Sequence, residues 1–427
     1  MRLQARLGTA DAVTIGLGSM IGAGLFAAFA PAASLAGWNL VPALLLAAFV
    51  AFCNASSSAA LAARHPAAGG TYVYGRERLG PLWGYLAGWG FVTGKTASCA
   101  AMALTAANYL SPSHRDVVAV VFVLLLAGTN YVGITRTARL ARVLLLITLA
   151  GLAVALVATW LPDSDPPLLP GTGGVPAETG SRWGGLWGTT GAAGLLFFAF
   201  AGYARIATLG EEVRDPERTI PRAIPIALGI VVLLYLVVGV TLLGSLGPAG
   251  LAESTAPLAE AVEAGPLPWL APAARIAAGT AALGALLALL AGVGRTAMAM
   301  ARERDLPGPL DRVHPRFGTP HHAELGVAAV VVVLIAAGDL RAVIGFSSFG
   351  VLVYYAIANA AAWTLPGEQR WFPRALPAVG LVGCAVLAFS LPWQAVVAGL
   401  GCFGVGLLFR ERRKLRSLLL RGRIGPP

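Results

Sequence analysis

The chain has 427 residues, of which 57% are hydrophobic and only 12% charged, and its formal net charge is +11. So small a charged share, about half that of a soluble domain, excludes a water-soluble globular protein. The positive charge does not make a nucleic-acid surface either: 25 of the 31 Lys and Arg fall in the segments on one side of the apolar spans taken next, so basicity reports membrane topology.

Apolar runs of about 20 residues, enough to cross a bilayer, recur along the whole chain. Twelve spans are predicted, over 10–33, 40–63, 82–109, 115–133, 139–160, 187–208, 222–245, 270–300, 322–337, 341–363, 375–391 and 393–409. Span 1 follows Arg2 and Arg6, as a signal peptide would, but it runs too long and "AFAPAA" is a weak cleavage site, so it reads as an uncleaved span. The Pro- and Gly-rich segment 161–186 is the predicted loop dividing two halves. With the N-terminus inside, the inner segments carry such groups as Arg64, Arg76 and Arg78, then Arg136, Arg139 and Arg142, then seven basic residues from Arg410 onward. That bias puts both termini in the cytoplasm of a cell-membrane protein. The tail, "RERRKLRSLLLRGRIGPP", reads as an inside anchor with anionic-lipid contact as an extra.

Two spans carry glycines where a plain anchor would not. "GLGSMIGAGLF" in span 1 holds Gly16, Gly18, Gly22 and Gly24, each costing a helix roughly 1 kcal/mol relative to alanine. Gly18 and Gly22 could form a small-xxx-small packing motif. The sharper reading is a helix broken near Gly22-Ala23-Gly24. Unpaired backbone groups survive at membrane depth only where they line a polar cavity. Such a break offers N–H groups to an anion and carbonyls to a cation, the two charges of an α-amino acid. A side chain at Gly24 would then fill the space where backbone meets carboxylate. Span 6, "GTTGAAGLLFFAFAGYARIATLGEE", has Gly202 between Phe200 and Tyr203. Paired interruptions in corresponding spans of two halves point to a midplane transport site. Cys53, Cys99, Cys384 and Cys402 are isolated packing residues, and His314, His321 and His322 belong to a solvated loop rather than a zinc site. No catalytic constellation is visible, so an enzyme or a channel stands only as a remote alternative.

Four segments in order resemble the amino acid–polyamine–organocation (APC) permeases. They are "GSMIGAGLF", "HPAAGGTYVYGRERLGPLWGYLAGW", "FFAFAGYARIATLGEEVRDPERTIPRAI" and "GRTAMAMARERDLPGPLDRVHPRFGTPHHA". The resemblance implies an all-α polytopic membrane protein of the LeuT type, with a 5+5 inverted repeat and discontinuous helices 1 and 6. Repeat 1 would cover about 10–160, repeat 2 about 187–363 and two extra helices about 375–409, before a tail at 410–427. It implies that a substrate carboxylate meets backbone N–H groups around Ala23 and Gly24. The substrate amino group would meet carbonyls near Ile21 and, at the second break, of Phe200 and Ala201, with Gly22 and Gly202 completing the substrate-binding set. Phe200 and then Tyr203 are the candidate gates, and Glu211, Glu212 and Arg214 are expected in structural salt bridges.

Two departures from the family pattern bear on coupling. Thr148 stands in "RLARVLLLIT" where many proton-coupled or cation-carrying members have a lysine. Gly94 stands in span 3 where members preferring cationic amino acids often have a glutamate, with Lys95 beside it. The sodium site of this fold uses hydroxyls of helix 8, yet none lies between Thr280 and Thr296, and a hard cation wants several oxygen ligands. The coupling ion expected is therefore the proton, not sodium, with no cofactor. Lys95 sits too deep to snorkel, since its side chain reaches ~6 Å against a hydrocarbon half-thickness of ~15 Å. It either takes up and releases a proton during transport, meets the substrate carboxylate, fills an empty sodium-like site, faces a wet cavity, or bonds carbonyls for structure. The expectation is proton symport of amino acids, neutral ones favoured because carboxylates such as Asp11, Asp116 and the Glu211-Glu212 pair fall only at the ends of spans. Exchange, or carriage of cationic amino acids or polyamines, is the alternative.

Overall fold

The computed structural model describes residues 8–64, 69–132, 134–161, 182–203, 206, 213–337, 339–367 and 372–422. The regular elements among them are all helices. The twelve predicted spans recur as Thr9–Ala36 in three pieces, Leu40–Arg64, Pro81–Leu110, Arg115–Val132, Ile134–Trp160, Arg182–Phe200, Pro216–Glu253, Ala271–Arg302, His321–Ala337, Leu340–Trp363, Ala375–Ser390 and Trp393–Gly422. Nine of the helices among the described residues are long and apolar enough to cross a membrane, and spans 9 and 11 are apolar but shorter. Span 3 completes the set. It is 30 residues long and rich in Gly, Ser and Thr because it lies between spans 8 and 10, where small residues let helices approach.

Local chemistry marks several helix ends. Pro81 and Pro216 open spans 3 and 7, where a missing N–H costs nothing. The Asp339 carboxylate caps span 10 by accepting the Arg341 N–H at 3.0 Å. Span 7 was predicted to end at 245, and its backbone leaves helical geometry at Gly247, ahead of Pro248.

Spans 4, 5 and 12 are the least buried, whereas spans 1, 6 and 10 are among the most buried. Large apolar side chains such as Leu125, Leu146, Val157, Leu233, Val382 and Leu408 remain exposed, as an outer face toward lipid requires. Two short helices join the spans and were not expected. Thr71–Leu79 lies between spans 2 and 3, and Pro257–Glu263 between spans 7 and 8. The second had a readable signal, for Glu260 reaches back to accept the Ala256 N–H at 3.1 Å behind Pro257. Most of the dividing loop at 161–186, together with Arg205, Glu211 and Glu212, lies outside the described residues.

Candidate functional site

Span 1 breaks where its glycines cluster. The first helix ends at Met20, Ile21 has φ −76° and ψ 79°, Gly22 is extended, and a new helix starts at Ala23. The Gly22 N–H turns back to the Met20 carbonyl at 2.9 Å. Ala23 and Gly24 thus supply the first N–H groups of the new helix, which no carbonyl of a preceding turn can satisfy. Span 6 stops at Phe200 and continues as a short 3₁₀ turn, Ala201–Tyr203. Both interruptions expected from the sequence are present.

The two breaks fit into each other through their glycines. A Cβ at Gly202 would lie 2.2 Å from the Ser19 carbonyl oxygen and 2.7 Å from the Met20 nitrogen. A Cβ at Gly24 would lie 2.4 Å from the Ala199 Cα. A side chain at Gly24 would therefore strike span 6, and the expectation that it would enter open space for a carboxylate is corrected: the missing Cβ serves the close approach of spans 1 and 6. The Gly18/Gly22 packing reading is also revised. Gly18 faces Leu145 of span 5 and Gly22 faces Ala285 of span 8, so the pair does not serve a single partner helix.

Three side chains from other spans bind carbonyls at these breaks. The Tyr235 hydroxyl of span 7 lies 2.5 Å from the Met20 oxygen and 3.0 Å from the Ala199 oxygen. It has one proton to share between the two carbonyls. Lys95 Nζ donates to the Ala201 oxygen at 3.3 Å, and the Tyr355 hydroxyl of span 10 donates to that same oxygen at 3.3 Å. Beside them, Tyr109 of span 3 donates to the Phe26 carbonyl at 3.1 Å and accepts the Leu258 N–H at 3.3 Å, which fixes the short helix Pro257–Glu263 over the second half of span 1. Both candidate gates are buried. The Phe200 ring packs on Tyr235 with centroids 5.1 Å apart, and the Tyr203 ring on Tyr355 at 5.0 Å.

Lys95 is 6% exposed and reaches broken span 6 at the Ala201 carbonyl. Thr148 does not join it. The Thr148 hydroxyl pairs with Thr280 at 3.0 Å and with the Leu144 carbonyl at 2.9 Å, tying span 5 to span 8. The face of span 8 that meets Gly22 presents Ala285 and the Ala281 carbonyl. Tyr235, Tyr355 and Tyr109 were missed from sequence, although a tyrosine inside an apolar span has to find a hydrogen-bond partner. Asn359 was missed too. It accepts from Ser57 at 2.7 Å and donates to Asn54 at 2.6 Å, joining spans 2 and 10 beneath Tyr355.

On the cytoplasmic side of the proposed topology, Asp305 accepts from the Tyr72 hydroxyl at 2.8 Å and pairs with Arg76 at 3.2 Å. Burial pushes its carboxyl above the usual range, against the lowering pull of Tyr72, Arg76 and Arg410. Among the described residues no three His, Cys, Asp or Glu form a metal-holding group. His314 Nδ1 accepts backbone N–H groups from Arg316 and Phe317, and His322 Nδ1 lies 3.0 Å from the Pro309 carbonyl.

Comparison with known proteins agrees with this architecture. Residues 7–407 match the family model described as amino acid permease. A Mycobacterium tuberculosis protein named as an uncharacterized transporter is 58% identical over 406 residues, covering 95% of this chain and 90% of its own. The branched-chain amino acid permease BcaP of Bacillus subtilis is 25% identical over 442 residues, with 95% and 92% covered. Cationic amino acid transporter 7 of Arabidopsis thaliana is 25% identical over 415 residues, with 91% and 70% covered. With two interrupted spans meeting at its centre and a match along nearly its whole length, the chain belongs to the amino acid permease family, a multi-pass membrane transporter of the APC group and not an enzyme.

Proposed function

We propose that this permease carries amino acids across the cell membrane by alternating access, as a proton-coupled symporter favouring neutral amino acids, with both termini in the cytoplasm. The observation that carries the reading is the meeting of two helix breaks, with Ala23 and Gly24 opening a new helix, so that their N–H groups have no carbonyl of a preceding turn, against Ala199 of span 6. The N–H groups and the dipole of the new helix suit a carboxylate, and carbonyls suit an ammonium. The Ala201 carbonyl is already engaged by Lys95 and Tyr355. The substrate amine is therefore assigned to the carbonyls of Ile21, Gly22, Phe200 and Gly202, or to Ala201 once Lys95 withdraws. Phe200 and Tyr203 close the site. The fold reads as two inverted repeats, 10–160 and 187–363, with the extra helices at 375–409 outside the rocking bundle.

The coupling proton is assigned to Lys95, the lysine at the breaks, because Thr148 is spent on Thr280. Sodium is not assigned, because among the described residues the face of span 8 at Gly22 presents the Ala285 methyl rather than a hydroxyl. Uptake of radiolabelled amino acids into proteoliposomes, with and without an inward proton gradient, tests the reading. Flux of alanine or leucine that rises with the gradient is expected. Background flux for every amino acid under both conditions would overturn it. Lys95→Ala and Lys95→Gln proteins that keep the wild-type rate and pH dependence from pH 5 to 8 would remove Lys95 from coupling.

A further inference from the structure

Among the described residues, Lys95 is the buried charged side chain at the level of the breaks. Of the other buried charged residues among those described, Asp305 lies just past the end of span 8, Glu324 in the first turn of span 9, and Arg410 of span 12 beside Asp305 at 4.0 Å. The titratable group that bears on Lys95 is the Cys99 thiol, one turn along span 3. Among the described residues its hydrogen-bond acceptor is the Ala201 oxygen, which Tyr355 shares. A carbonyl oxygen has two lone pairs, and both are taken here. An oxygen that broken span 6 would offer to a substrate's positive charge is thus held by a positive charge belonging to the protein.

We propose that Lys95 is the specificity-determining residue of the site: a tethered ammonium that repels substrates with a cationic side chain and so selects neutral amino acids over lysine and arginine. The inference rests on the transport reading above and goes beyond it. A site merely lacking a carboxylate leaves a cationic side chain unpaired, whereas a site containing Lys95 opposes it. Two like charges ~6 Å apart at an effective dielectric constant of ~20 repel enough to cost about a hundredfold in affinity. The α-ammonium is compensated by its own carboxylate and is spared that penalty. Tyr355 keeps its hydrogen bond to Ala201 whether or not the lysine is present, so a neutral residue at 95 leaves an acceptor that a cationic side chain can use.

The test separates charge from shape. Uptake of labelled alanine or leucine in proteoliposomes is competed with norleucine against lysine and with citrulline against arginine, pairs that differ mainly in charge. In the wild type the neutral member should win by about a hundredfold. Lys95→Met and Lys95→Gln should shrink each ratio to within about threefold, and Lys95→Arg should retain it. Cys99→Asp keeps the lysine but gives it a carboxylate partner, and should shrink the ratios as well. Each ratio is formed within one protein, so a lowered overall rate cancels. A variant too slow for uptake is read by ligand-induced shifts of its thermal unfolding midpoint with the same four compounds. Equal competition by lysine and norleucine in the wild type overturns the filter, as do wild-type ratios in both Lys95→Met and Cys99→Asp. Absence of any neutral amino acid flux in the wild type overturns the transport reading itself, and the filter with it.

Discussion

Replacing Gly24 by alanine adds one carbon where spans 1 and 6 meet backbone to backbone. That carbon would stand 2.4 Å from the Ala199 Cα, 2.7 Å from its Cβ and 3.1 Å from its nitrogen, where ordinary contact begins at 3.4 Å. No rotamer relieves a clash with backbone, so span 6 has to retreat by about 1 Å at Ala199. The Tyr235 contact to the Ala199 carbonyl, now 3.0 Å, would stretch toward ~4 Å and cease to be a hydrogen bond. Overpacking of this kind costs about 1–3 kcal/mol and a lost buried hydrogen bond about 1 kcal/mol more. Purified Gly24→Ala should therefore unfold at a clearly lower temperature in detergent and lose most of its uptake in proteoliposomes. Ala199→Gly in the same protein removes the 2.7 Å contact but not the 2.4 Å one, so it should restore stability only in part. Wild-type stability and uptake in Gly24→Ala would refute the interlocking of the two breaks.

Tyr235→Phe keeps the ring on Phe200 but withdraws the hydroxyl from the Met20 and Ala199 carbonyls, and should cost about 1–3 kcal/mol; an unchanged unfolding midpoint with unchanged uptake would show that neither carbonyl depends on it. Because burial holds the Asp305 carboxyl above its ordinary 3.8, the folded protein binds that proton more readily than the unfolded chain. The stability this contributes is present below pH 3.8 and lost as pH rises through the shifted value. Asp305→Asn should remove that slope from a plot of unfolding temperature against pH, and a variant curve parallel to the wild type would count against it.

The spans were legible because hydropathy is summed over some 20 residues, which averages out local exceptions. The break in span 1 was legible for a different reason: four glycines in nine positions have no use in a plain apolar helix. Gly202 marked the second break, although the helix stops two residues ahead of it, at Phe200. What the glycines faced was not legible. Gly24 meets a residue 175 positions away, at Ala199, and chain spacing carries no such distance. The same holds for Lys95, whose depth in span 3 could be read but whose partner could not. Thr148 was singled out by its place in a family pattern, yet its hydroxyl serves a local tie to Thr280. Thr71–Leu79 escaped because a short helix dense in Tyr, Arg and Glu has no hydropathy signal, and its stability comes from what it docks on.

The contacts around the breaks divide into two kinds, and the division says where motion can occur. Spans 1 and 6 meet backbone to backbone at two places, Gly24 on Ala199 and Gly202 on Ser19–Met20, and Tyr235 bridges them with a single hydroxyl. Sliding one past the other would drive main-chain atoms together at both places. Contacts from this pair to spans 3 and 10 are made through side chains: Lys95 and Tyr355 on the Ala201 carbonyl, Tyr109 on the Phe26 carbonyl, and the Phe197 and Tyr203 rings on Tyr355. The hydrogen bonds among them come from single side chains, worth about 1 kcal/mol net and about 1.5–3 kcal/mol for the charged Lys95, and each is replaceable by substrate or water. Against span 8 Gly22 packs on the Ala285 methyl with the Ala281 carbonyl behind it, a side-chain contact rather than interlocked backbone. In the proposed transport cycle the moving boundary therefore runs between the interlocked pair and spans 3, 8 and 10. Lys95 stands on that boundary, so a substrate that displaces it from Ala201 loosens the same contact that holds the two sides together.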